Sequence, residues 1–287
     1  MKKIFDITDS LKKSKKKPLE RLSPILALLF EKSSTRTRVS FESAMLQLGG
    51  HSIYIDSKTS QLSRGESLAD TSRVLSSYVN IIAARMYRHS DIEELAKYSS
   101  VPVVNALTDL EHPCQALSDV YTIREEFGRV KGLRIAFVGD IAANTANSLM
   151  ITAAKMGAEV SLVGPRGYAA NFEYLLQASK FETIETTDDM QDGLKGCDVV
   201  YTDTFISMGQ EAEADKRRRL FSKYQLNEEV MKFARKGAKV MHCLPAHRGE
   251  EITSDLLDGK RSIVWQQAAN KMLVEKAIIL YLLNAAR

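Results

Sequence analysis

Five consecutive residues, Ser34, Thr35, Arg36, Thr37 and Arg38, combine three hydroxyls with two guanidinium groups. They follow a short apolar run, Ile25 to Phe30, and precede a helix-like stretch, Val39 to Leu48. At a strand-to-helix junction the free N–H groups and the positive end of the helix dipole favour an anion. Hydroxyl and guanidinium donors suit the oxygens of a phosphate. The same string also fits a capped helix start with solvated arginines, so its company decides between the two. The three cysteines, Cys114, Cys197 and Cys243, are scattered without a C-x-x-C pair. Neither a disulfide framework nor a structural zinc site is expected from them, and a reducing cytoplasm is.

These residues need a scaffold, and the chain alternates strand and helix patterns. Ile25 to Phe30, Ser52 to Asp56, Ile81 to Ala84 and Val103 to Asn105 read as strands, with helices over Val39 to Leu48, Ser67 to Tyr78 and Ile92 to Tyr98. A fresh start at Arg134 to Val138 is followed by a helix over Asn147 to Met156 and strands at Glu159 to Val163, Val199 to Asp203 and Val240 to Leu244. Alternation of this kind predicts an α/β fold of two domains, each a mostly parallel sheet flanked by helices. The boundary is placed near Gly128: residues 1–128 form the first domain and 129–268 the second. Residues 269–287 contain a helix, Lys271 to Asn284, long enough to return to the first domain. A length of 287 residues with 44% hydrophobic content fits two cores. A net charge of +4 argues for neither nucleic acid nor a membrane surface as partner. No long apolar stretch predicts a signal peptide or a membrane span. The lysine-rich segment Lys12 to Lys17 reads as a solvated turn.

Three ordered segments carry more. Phe30-Glu31-Lys32-Ser33-Ser34-Thr35-Arg36-Thr37-Arg38 resembles the phosphate-binding signature of the aspartate and ornithine carbamoyltransferases. His112-Pro113-Cys114-Gln115 is similar to that family's H-P-x-Q segment, and His242-Cys243-Leu244-Pro245 to its H-C-L-P segment. The resemblance runs from about Ala27 to Ala277. It implies that Ser34, Thr35, Arg36 and Thr37 hold a phosphate, and that Arg85, His112 and Gln115 surround a carbamoyl group. Arg85, His112 and the Thr37 hydroxyl would then stabilise the oxyanion that forms when an amine attacks. Cys243 and Leu244 would lie between the carbamoyl group and that amine, and Lys271 would complete the carbamoyl phosphate contacts. Gln61 matches a position that reaches the adjacent subunit's site, which implies a homotrimer and leaves room for assemblies of trimers.

Asp203-Thr204-Phe205-Ile206-Ser207-Met208-Gly209 resembles the D-x-x-x-S-M-G segment of the family's ornithine-specific members. By that likeness Asn144, Asp203, Ser207 and Met208 bind ornithine, with the Asp203 carboxylate on its α-ammonium. The charged stretch Gln210 to Arg219 would be a mobile lid. The expected reaction needs no metal and no organic cofactor. Putrescine, acylated ornithine and aspartate are alternative acceptors that Ser207-Met208-Gly209 disfavours. A nicotinamide-dependent dehydrogenase is disfavoured because Gly139-Asp140-Ile141-Ala142-Ala143-Asn144 lacks G-x-G-x-x-G. A non-catalytic binding protein on the same scaffold is the third alternative. The chain departs from the family pattern at Ala143, where an asparagine is usual. It departs again at Lys271, where the usual arginine would offer a bidentate fork. The leading helix also reads as shortened.

Overall fold

Short apolar runs become strands here, and every one of them pairs in parallel. The computed structural model describes residues 1–13, 23–206 and 211–285. The lysine-rich segment beyond Lys13 and the Ser207-Met208-Gly209 segment lie outside the described residues. The chain divides into two compact units, Met1–Ser118 with Asn270–Arg287, and Asp119–Ala269.

In the first unit β1 (Ile25–Phe30), β2 (His51–Asp56), β3 (Ile81–Arg85) and β4 (Val103–Leu107) form a sheet in the order β2-β1-β3-β4. The central β1 and β3 are buried almost throughout, whereas the edge strand β2 exposes alternate residues. That is why β1 and β3 read as unbroken apolar runs and β2 as an alternating one. Parallel neighbours need crossover connections, supplied by α2 (Thr35–Gln47), α3 (Leu68–Tyr78) and α4 (His89–Tyr98). Val79, Ile82, Ile92 and Leu95 pack with Ala27 and Leu29 into one core cluster. The leading segment forms α1 (Lys2–Lys13), a 12-residue helix that buries Phe5 and Thr8.

In the second unit β5 (Arg134–Val138), β6 (Glu159–Val163), β7 (Ile184–Thr187), β8 (Val199–Thr202) and β9 (Lys239–His242) run in the order β7-β6-β5-β8-β9. The helices are α6 (Asn144–Lys155), α7 (Phe172–Ala178), α8 (Met190–Leu194), α9 (Ala214–Phe221) and α10 (Ser254–Leu257). Two further helices, α5 (Pro113–Phe127) and α11 (Val264–Ala285), each contribute residues to both units. The expected boundary at Gly128 marks the end of α5, while the compact units divide within that helix.

Both sheets have a point where the strand order reverses, between β1 and β3 in the first and between β5 and β8 in the second. Connections leave such a point in opposite directions and open a crevice at the carboxyl ends of the strands. Phe30 pairs with Arg85 at the first crevice. Val138 pairs with Thr202, and Thr202 with His242, at the second. Among the described residues no helix is long and apolar enough to cross a membrane.

The turn after β5 is held by close backbone packing. A Cβ on Gly164 would stand 2.5 Å from the Gly139 carbonyl oxygen, and Gly139 itself has φ 121. Backbone cannot step aside as a flexible side chain can. Gly164→Ala is therefore expected to lower unfolding stability by about 1–3 kcal/mol in a denaturant titration, and an unchanged midpoint would refute this packing argument.

Candidate active site

The helix α2 begins at Thr35, four residues before the predicted Val39, which places Thr35 to Arg38 in its first turn. Ser34 is the N-cap: its Oγ accepts from the Thr37 N–H at 3.4 Å and donates to Thr37 Oγ1 at 3.1 Å. Thr37 is buried. Its Oγ1 also accepts from Lys271 Nζ at 3.3 Å, which leaves the Thr37 hydroxyl hydrogen to be donated. The same ammonium donates to Gln115 Oε1 at 3.1 Å. Lys271, on α11, is thus joined to α2 and α5 of the first unit.

The two arginines of the run do not act together. Residues two apart on a helix point to different faces. Arg36 is exposed, and its guanidinium has no partner among the described residues. Arg38 is spoken for: it pairs with Glu42 at 2.9 Å and stacks over the Tyr54 ring at 3.9 Å. Thr35 is exposed beside Arg36.

Arg85 ends β3 and is buried, as are His112 and Gln115 at the start of α5. Pro113 opens that helix, where a missing N–H costs nothing. Burial first, then the charges of Lys271 and Arg85, hold the His112 imidazolium well below the usual histidine range. His112 is therefore neutral and can donate or accept a hydrogen bond without carrying charge. Gln61, in the turn after β2, is exposed with no side-chain partner among the described residues.

In the second unit Asp203 directly follows β8. Its Oδ1 accepts from the Thr204 N–H at 2.8 Å and from Cys243 Sγ at 2.9 Å. Its Oδ2 accepts from Thr145 Oγ1 at 2.9 Å. Asn144 is the first residue of α6, and its N-cap Ala143 gives no side-chain hydrogen bond. Leu244 adopts φ 59, a left-handed conformation that non-glycine residues rarely take. Donor atoms of Asp203, His242 and Cys243 lie within 4.8 Å of one another. Both ring nitrogens of His242 are already engaged, so this set is not laid out as a ready metal site. A carboxylate with an adjoining thiol and hydroxyl suits an ammonium group better.

Two family models match the chain. The aspartate/ornithine carbamoyltransferase carbamoyl-P binding domain matches residues 1–125, and the Asp/Orn binding domain of the same family matches residues 131–282. The chain belongs to the aspartate/ornithine carbamoyltransferase family. It is 48% identical over 267 residues to the ornithine carbamoyltransferase of Pyrococcus abyssi, covering 91% of this chain and 84% of that one. The anabolic ornithine carbamoyltransferase of Pyrococcus furiosus is 49% identical over 259 residues, 88% of this chain and 82% of that one. The solved structure of ornithine carbamoyltransferase from Pyrococcus furiosus superposes with a TM-score of 0.93 at 44% identity, covering 98% of this chain and 92% of that one.

In the second unit, the charged stretch expected as a lid is tied to its surroundings at one buried arginine. Arg217 is buried, donates from Nε to the Phe205 carbonyl oxygen at 2.6 Å and pairs with the buried Asp140. Phe221 lies in the core. Arg217 and Phe221 thus anchor α9 while Asp215, Lys216, Arg218 and Arg219 stay exposed, and Arg217 holds the start of the loop after Asp203. Ser207 and Met208 lie outside the described residues.

No sequence pattern announces the buried polar chain behind Cys243. His242 Nε2 donates to Glu251 Oε1 at 3.0 Å, so its Nδ1 is free to accept from the Leu244 N–H at 2.8 Å. The His242 N–H donates to Gln267 Oε1 at 3.0 Å, and Gln267 Nε2 donates to Asp119 Oδ1 at 2.7 Å. Tyr201 donates to Asp119 Oδ2 at 3.0 Å, and burial followed by the Asp119 charge raises its phenol pKa. Glu251 thereby selects the His242 tautomer that holds Leu244 in its unusual conformation. Only its spacing of nine residues from His242 could have hinted at this, and that spacing has no meaning until the loop folds back.

Glu251→Ala is expected to cost about 1–3 kcal/mol of stability by leaving the buried imidazole unpaired. It should also scramble the His242 tautomer seen in the ring nitrogen resonances, whereas Glu251→Gln keeps an acceptor and the tautomer. Retention of the wild-type tautomer in the alanine variant would refute the assignment.

Proposed function

We propose that the protein is a carbamoyltransferase that moves the carbamoyl group of carbamoyl phosphate to the δ-amine of L-ornithine, giving L-citrulline and phosphate. The observation that carries this reading is the Lys271 ammonium bonded to Thr37 and Gln115, beside a neutral, buried His112. That is a site with positive charge for a phosphate and neutral donors for a carbonyl. In this reading the first unit is the carbamoyl phosphate-binding domain and the second the ornithine-binding domain.

Phosphate is received by the α2 N-terminus, with Ser34, Thr35, Arg36 and Thr37 supplying donors. Lys271 neutralises it as a point charge. As the neutral amine attacks the carbamoyl carbon, negative charge grows on the carbamoyl oxygen. Arg85, His112 and the spare Thr37 hydrogen are the donors for it. The C–O bond to phosphate then breaks, phosphate leaves with the electron pair, and the amine gives up a proton. Gln115 accepts from the carbamoyl nitrogen with its remaining lone pair. On the acceptor side Asp203 pairs with the α-ammonium of ornithine, Asn144 holds its carboxylate end, and Ser207 and Met208 complete recognition. Cys243 and Leu244 line the approach of the amine. Catalysis is then positioning and charge stabilisation.

The exposed Gln61 serves an adjacent subunit in this reading, and the assembly is a homotrimer. The apolar residues Val39 and Leu46, seven apart on α2, and Ile53 on β2 are exposed, which supports a protein partner for this face. The setting is cytoplasmic, and the anabolic name of a Pyrococcus furiosus relative supports the citrulline-forming direction.

The deciding assay is citrulline formation from carbamoyl phosphate with ornithine, putrescine, acetylornithine or aspartate as acceptor. Only ornithine is expected to react well, and a better rate with any other acceptor would overturn the assignment. Arg36→Ala should abolish carbamoyl phosphate binding with the fold intact. Asp203→Asn should raise the KM for ornithine far more than that for carbamoyl phosphate; equal changes in both would misplace the acceptor site. The rate should rise with pH until the δ-amine is neutral, and a flat profile would count against direct attack.

A further inference from the structure

Glu275 lies one helical turn beyond Lys271 on α11 and is completely buried. Neither of its carboxylate oxygens has a hydrogen-bond partner among the described residues. The Lys271 ammonium does not close on it, being spent on Thr37 and Gln115. Ser40 of α2 faces the carboxylate, but it donates its hydroxyl hydrogen to the Thr37 carbonyl oxygen at 3.1 Å. From α5 comes the Cys114 thiol, whose ionisation is opposed by burial and then by the Glu275 charge. Among the described residues, the cation whose charge bears on the carboxylate is Lys271, and the charges of Lys271 and Arg85 bear on His112.

A buried carboxylate without hydrogen bonds is costly when ionised, so it keeps its proton to a higher pH. Burial pushes Glu275 up to about 7, against the pull of Lys271. Its charge is therefore undecided near neutrality. A dianion arriving at Lys271 would settle the matter, because it repels the carboxylate through a poorly screened interior.

We propose that Glu275 is a positioning residue for carbamoyl phosphate: ionised, it balances Lys271 in the empty site, and it takes up one proton from solvent when the phosphate dianion claims that ammonium. This rests on Lys271 belonging to the carbamoyl phosphate site. No bond changes other than the O–H formed on Glu275, and the proton comes from buffer. A lysine has a flexible stem and no fork, so its charge must be placed and balanced by its neighbours.

Calorimetric titration of the protein with carbamoyl phosphate alone, near neutral pH in two buffers of different ionisation enthalpy, reads the proton uptake. The wild type is expected to take up a substantial fraction of a proton and Glu275→Gln little. The wild-type Kd should weaken as pH rises from about 6 to about 8, at most about tenfold per pH unit, and the variant's Kd should lose that dependence. Equal uptake in the two proteins would assign the proton to His112 or to the ligand and overturn the proposal, as would heats independent of buffer in the wild type. Absence of any binding by the wild type would overturn the phosphate site as well, which separates the two failures. Infrared difference spectra of the wild type give a check without substitution. A buried protonated-carboxyl band should grow on adding carbamoyl phosphate, and its absence would refute the proposal.

Discussion

All strands in both sheets run parallel, and the rest of the structure follows from that. Parallel pairing forces each connection to cross over, so the carboxyl ends of the strands share one edge. Where the strand order reverses, the loops diverge and leave room for a ligand. The residues with the chemistry stand at these edges: Ser34 beyond β1, Arg85 at the end of β3 and His112 beyond β4 in one sheet. In the other they are Asn144 beyond β5, Asp203 beyond β8 and Cys243 beyond β9. Strand cores such as Leu26 to Phe30 and Val199 to Thr202 are buried so that their ends can carry polar groups.

The first unit concentrates positive charge and then limits it. Lys271 and Arg85 are both buried, which is tolerable where an anionic substrate is to be bound. Burial, reinforced by their fields, keeps His112 neutral, so it can serve as a hydrogen-bond donor without adding a third cation. The helical twist sends Arg38 away to Glu42 and Tyr54, leaving Arg36 as the exposed donor of the run. Packing thus takes one arginine of the run and leaves the other exposed.

The second unit spends its buried polar groups differently. Asp203 is held from two sides by Cys243 and Thr145, and the loop after it is fixed by Arg217 through the Phe205 carbonyl oxygen. Behind this, Glu251, His242, Gln267, Asp119 and Tyr201 form a hydrogen-bonded chain that orients the Cys243-Leu244 segment. Networks of this kind fix geometry because each member has a partner to lose.

The sequence by itself determined the fold class, the membership of the family and most strands, because buried parallel strands must be short apolar runs and because three ordered motifs lie at their ends. It located β1, β5 and β6 to the residue. It placed α2 too late because the polar first turn, Thr35 to Arg38, has no apolar periodicity, and it missed α5 because the chemistry of His112 to Gln115 masks a helix start. Only the tertiary structure decided which groups touch. Lys271 meets Thr37 and Gln115 across 234 and 156 positions of chain, and Glu251 meets His242 after the loop returns on itself. Periodicity reports which face of an element is buried. The partner on that face, and hence the charge a buried Lys271 or Glu275 carries, is set by packing that no local pattern encodes.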